Sequence, residues 1–150
     1  MVIWFLILQE AVQMTNIQLS THFNSKEFDC KGKYCNCGGN GDKISLILIQ
    51  CLEQLRSDCG GYPLIVSSSY RCPAHNSSIP GSALNSQHTK WTAADILVPS
   101  GLSFEEFKWY VENTVTKNGY KFDGIGEYKW DGFIHLDVRD GGINGGAYRW

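Results

Sequence analysis

Two short stretches hold the side chains best suited to chemistry. Ser86-Gln87-His88-Thr89-Lys90-Trp91-Thr92-Ala93-Ala94-Asp95 sets an imidazole and a carboxylate seven residues apart, and Phe133-Ile134-His135-Leu136-Asp137-Val138 adds a second imidazole. Two imidazoles and one carboxylate suit a catalytic zinc with three protein ligands and a fourth position kept for water. Water on such an ion loses its proton near neutral pH and becomes a nucleophile. His88, Asp95 and His135 are therefore the candidate metal ligands, and hydrolysis is the chemistry they imply.

The setting of each residue supports this choice. Asp95 lies between Ala94 and Ile96 in an apolar run, where a bare buried carboxylate is costly and needs a partner. That partner is backbone or an arginine in the bland case, and a metal when a histidine stands nearby. Alternation in the last stretch puts Phe133, His135 and Asp137 on one face of a strand. Asp137 is thus placed to orient the imidazole or to act as a base. His22 and His75 lack such company and are expected to be surface or capping residues.

The elements that must position these residues follow from local pattern. Asn24 or Ser25 caps a short turn between Phe23 and Phe28. Asp42 opens a helix to about Cys59, with Leu46, Ile47, Ile49, Leu52 and Leu55 as its buried stripe and Gly60-Gly61 as its stop. Pro63 to Ser68 reads as a strand, and Pro73 as the first residue of a helical turn. Ala93 to Val98 is another strand. Ser103-Phe104-Glu105-Glu106 is a capping box that opens a helix to about Lys117, with Phe104, Phe107, Val111 and Val115 facing the core. Strands near Phe122 to Tyr128 and Gly132 to Val138 are joined by a turn. The sum is an α+β domain with a mostly antiparallel sheet flanked by helices.

Bulk properties narrow the function classes. The chain has 150 residues, 43% hydrophobic and 19% charged, with a formal net charge of -2. One folded domain fits this length, and no basic run invites nucleic acid. Gly38-Gly39-Asn40-Gly41 makes a poor phosphate cradle, because no strand precedes it and no Lys-Ser or Lys-Thr pair follows. Met1 to Leu8 is apolar but too short to span a bilayer. Residues 1–15 are read as a leader or, by preference, an over-extended start with Met14 as the true beginning. Six cysteines are present, three within Cys30 to Cys37. The pattern lacks paired C-x-x-C spacing, so a local disulfide or simple packing is expected ahead of a second metal site.

Three ordered motifs resemble a known family. Ser69-Tyr70-Arg71-Cys72-Pro73-Ala74-His75-Asn76, Ser86-Gln87-His88 with Ala93-Ala94-Asp95, and Phe133-Ile134-His135-Leu136-Asp137-Val138-Arg139 are similar to the zinc D-Ala-D-Ala carboxypeptidases, closest to the phage and bacterial cell-wall peptidase branch. The resemblance covers about Leu19 to Trp150. It implies the Hedgehog/DD-peptidase fold over residues 16–150 and one catalytic Zn2+ on His88, Asp95 and His135. It implies that Arg71 stabilises a substrate carboxylate or a developing oxyanion, that Ser86 bonds substrate near the metal, and that peptidoglycan stem peptides are the substrates. A monomer acting on the bacterial cell wall follows, either exported or released by a phage-type holin. An endolysin-type endopeptidase and a non-catalytic wall-binding module are the alternatives.

Two departures stand out. Trp91 occupies a position usually held by Gly, and is read as a cleft wall that contacts substrate or as an inactivating change. Some relatives carry the catalytic acid three residues before the last histidine ligand, where this chain has Gly132. Asp137 and Asp131 are then the leading candidates for the base, with Glu127 third.

Overall fold

The computed structural model describes residues 16–150, so the reading of residues 1–15 lies outside the described residues. Five strands form one sheet: β1 (Val66–Ser68), β2 (Ala93–Leu97), β3 (Gly124–Tyr128), β4 (Phe133–Asp137) and β5 (Tyr148–Arg149). Their order is β1-β2-β4-β3-β5. All pairings are antiparallel except β3 with β5. The expected α+β class is observed, with a short parallel edge strand that the sequence pattern did not announce.

Among the described residues three α-helices accompany the sheet: α1 (Leu46–Asp58), α2 (Pro73–Ser78) and α3 (Phe104–Asn113). The first starts later than its pattern suggested. Asp42 belongs to a separate turn at Gly41–Lys43, and the Ser45 side chain accepts the Leu48 N–H to cap α1. Leu46 consequently sits on the first, solvent-facing turn at 61% exposure, while Leu48 and Cys51 join Ile49, Leu52 and Leu55 in the core. α3 opens with the expected capping box between Ser103 and Glu106 but ends at Asn113, four residues early. Val115 therefore lies beyond it and is exposed, whereas Phe107 and Val111 are buried. Asn24 makes the other capping box, reciprocal with Glu27.

The sheet has two chemically distinct faces. Register pairs Ala94 with Leu136, Ile96 with Ile134 and Ile125 with Leu136. These residues belong to the main core cluster with α1 and α3 residues such as Leu52 and Phe107. The same register pairs Asp95 with His135, and Ala93 and Gly124 with Asp137. Strand alternation thus sends all the polar groups of β2 and β4 to the other face. Among the described residues no helix is long and apolar enough to cross a membrane.

Candidate metal centre and cleft

Asp95 and His135 meet because β2 and β4 pair them directly across the sheet. His88 arrives from a turn at Gln87–Lys90, capped by the Ser86 side chain, which accepts the His88 N–H at 3.2 Å. His88 Nε2 lies 3.1 Å from His135 Nδ1 and 3.2 Å from Asp95 Oδ1, and His135 Nδ1 lies 3.0 Å from the same Oδ1. Nitrogen or oxygen ligands about 2.0–2.1 Å from a tetrahedral ion stand about 3.3 Å apart. The three donor atoms match that spacing closely.

The outer partners decide which atoms face the centre. His88 Nδ1–H donates to the Ser69 carbonyl at 2.6 Å. His135 Nε2–H donates to Asp137 Oδ2 at 3.0 Å. Each bond leaves the opposite ring nitrogen with a lone pair aimed at Asp95 Oδ1. Three acceptors converge within a buried space, and only a cation at their middle satisfies all of them. Without a metal, a proton is the substitute. Burial alone would lower the pKa of His135, but Asp137 and Asp95 outweigh it and raise the value. Burial opposes ionisation of Asp95 too, yet hydrogen bonds from His135 and His88 hold its carboxyl well below the usual range. The donor set therefore fits a divalent ion.

Asp137 is fully buried behind His135. Its carboxylate accepts from Arg139 Nε at 2.9 Å and Nη2 at 2.7 Å, and from the Arg139 N–H at 3.1 Å. Burial pushes its pKa up, but His135 and Arg139 bring it down to about 2. Gly124 makes this possible, because a Cβ there would fall 2.1 Å from Asp137 Oδ2. Arg71 reaches the centre from the other side. Its Nη2 pairs with Asp95 Oδ2 at 3.3 Å and its Nε donates to Ser68 Oγ at 3.1 Å. The register slip between Val66 and Ser68 sets Ser68 opposite Asp95, a common way for a bulge to re-aim a side chain.

A cleft of about 650 Å3 opens over the centre, lined by Arg71, Ser86, His88, Asp95, Asp131 and His135 among others. Two sequence candidates stand apart from it. Glu127 pairs with Lys108 at 3.1 Å, on the sheet face opposite the centre. Trp91 is no cleft wall. Its ring stacks on Tyr70 at 4.4 Å and 7°, and its Nε1 donates to the Asn40 carbonyl. Its backbone is left-handed, with φ 57°, which explains why glycine suits that position.

Other cleft residues had no role assigned from sequence. Trp150 lines the cleft with its ring centroid 5.0 Å from that of His135, and its Nε1 donates to the Tyr128 hydroxyl. Arg139 was legible only as part of a motif. Nothing local to Trp150 signals its place, since it depends on β5 pairing with β3.

The cysteines also depart from expectation. All six are free thiols, and the Sγ separations are 3.8 Å for Cys30 with Cys35 and 3.6 Å for Cys35 with Cys37. A disulfide needs about 2.05 Å, so the expected local bridge is not formed. His75 is not a plain surface residue either, because its Nδ1 lies 3.3 Å from Cys30 Sγ.

Comparison with known proteins agrees with this geometry. The family model described as Peptidase M15 matches residues 21–137, a span that contains all three candidate ligands. No curated protein matches the chain.

Proposed function

The chain belongs to the Peptidase M15 family, a family of zinc metallopeptidases with the Hedgehog/DD-peptidase-like fold, and from that premise we propose that it hydrolyses peptidoglycan stem peptides with one zinc ion on His88, Asp95 and His135. The observation that carries the reading is the convergence of three ligand atoms at 3.0–3.2 Å on the floor of a cleft. A zinc ion held there supplies Lewis acidity and an activated water.

The chain's own groups divide the remaining work. Asp131 is exposed and lines the cleft, so its carboxylate is free to take a proton and return it to the leaving amine. Asp137 is enclosed between His135 and Arg139, which suits it to hold the His135 tautomer rather than to exchange protons with substrate. Ser86 presents its hydroxyl at the cleft edge. Arg71 stands beside Asp95 to stabilise negative charge on the substrate.

A second reading, cleavage within the stem peptide or cross-bridge, has an observation in its favour. Clamping a terminal carboxylate is strongest with a free guanidinium fork. Arg71 already commits Nε to Ser68 and Nη2 to Asp95, leaving Nη1 for the substrate. That arrangement fits a single contact to an oxyanion better than a bidentate clamp.

Mass spectrometry of purified muropeptides incubated with zinc-loaded protein tests both readings against a chelated control. Chelator-sensitive loss of terminal D-Ala marks a carboxypeptidase, and an internal cut marks an endopeptidase. No product from several wall chemistries, with zinc bound, would point to a non-catalytic wall-binding module.

A further inference from the structure

We propose that Cys30, Cys35, Cys37 and Cys72 hold a second, structural zinc ion as four thiolates, independent of the peptidase centre. Their four Sγ atoms all lie within 4.8 Å of one another. Sulfurs about 2.3 Å from one tetrahedral zinc stand about 3.8 Å apart, and Cys30–Cys35 and Cys35–Cys37 are separated by 3.8 and 3.6 Å. That spacing is far outside disulfide range. It is the spacing of ligands around a common ion.

The surrounding chain is shaped for this convergence. Residues 30–40 contain no helix or strand. Asn36, Gly38, Gly39 and Asn40 all have positive φ, winding the loop so that three sulfurs turn to one point. A Cβ on Gly32 would come within 2.9 Å of Cys35 Sγ and 2.8 Å of His75 Cγ, so the loop closes only with glycine there. Cys72, the N-cap of α2, supplies the fourth sulfur. An irregular loop with Tyr34 at 94% exposure has little apolar burial to hold it, and a metal is one of the few staples available to such a segment.

Donors to the sulfurs complete the case. The Cys72 N–H donates to Cys30 Sγ and the His75 N–H to Cys72 Sγ, each at 3.4 Å. His75 Nδ1 stands 3.3 Å from Cys30 Sγ. On binding, the four thiols release their protons to solvent, and the resulting zinc–tetrathiolate carries two negative charges. N–H donors stabilise that excess charge. Four thiolates fill every position of a tetrahedral zinc, which suits a closed structural site rather than a catalytic one. Because Cys72 follows Arg71 directly, the ion also anchors the segment that carries Arg71 to the peptidase centre.

Metal analysis of the full-length protein tests this. The wild type should carry about two zinc equivalents, and His88→Ala and Cys37→Ser about one each. Cobalt-loaded His88→Ala protein should show the intense near-ultraviolet sulfur-to-cobalt charge-transfer band, and Cys37→Ser should weaken it. Should either variant fail to fold, cobalt-loaded wild type must still show the band. One zinc equivalent in the wild type that His88→Ala removes entirely would overturn the assignment. So would a cobalt spectrum without sulfur character, or an intact mass showing Cys30 to Cys37 oxidised to a disulfide.

Discussion

The histidine–aspartate centre and the cysteine cluster both draw ligands to a point, but from opposite kinds of scaffold. Asp95 and His135 sit on adjacent central strands, buried to within a few per cent of full enclosure, with their spacing set by the ladder between β2 and β4. Each histidine has an outer partner that selects its tautomer. The cysteines sit on an irregular loop and a helix cap, and positive-φ residues bring them together. The first scaffold is held by the strand ladder and by the outer hydrogen bonds of both histidines, and it leaves one side open to a cleft. The second is an irregular loop tied by scattered hydrogen bonds such as Lys31 Nζ to the Val66 carbonyl, with little apolar burial. Preorganisation with an open position is what catalysis needs, whereas a ligand-built closed site contributes to folding.

Four variants sharpen or break this contrast. His88→Ala should have the largest effect: hydrolysis is lost, while sulfur-bound metal and the folded circular dichroism spectrum persist. Retained chelator-sensitive hydrolysis would mean that the chemistry lies elsewhere. Asp131→Asn should lower kcat by about 10²–10⁴ with zinc content unchanged; wild-type kcat would return the base to Asp137. Asp137→Asn removes the charge behind His135, so zinc affinity or activity at that centre should fall by about 10–100-fold. Competition with a chromophoric chelator should show the cysteine cluster unaffected, and an equal loss at both sites would mean that they are not independent.

Trp91→Gly should have the smallest effect, and it is a balance. Glycine relieves about 1–2 kcal/mol of left-handed strain. The loss of the Tyr70 stack costs about 0.5–1.5 kcal/mol, and the loss of part of a buried indole costs about as much again or more. A net destabilisation of about 1 kcal/mol, read as a lower Tm, should accompany unchanged kcat/KM. A large gain in activity would mean that Trp91 obstructs the cleft despite standing outside its lining.

Much of the fold was legible because its signals are local. The Ser103–Glu106 capping box, Pro73 at the start of α2 and the alternation through Phe133 to Asp137 each act over a few residues, and all three are observed. Helix limits were less secure. Ser45 rather than Asp42 starts α1, and Thr114 rather than a residue near Lys117 ends α3, because several residues near each end can cap and tertiary packing chooses among them.

Residue type and strand alternation by themselves determined the identities of the candidate ligands and the faces that they occupy. Only the tertiary structure decided the partners. Cys72 joins a loop some forty residues earlier, Trp150 reaches the cleft through β5, and Arg71 divides its guanidinium between Ser68 and Asp95. Capping and alternation are rules of neighbouring residues, whereas contacts at 3 Å between distant segments depend on sheet register and loop path. Only packing of the whole chain sets those.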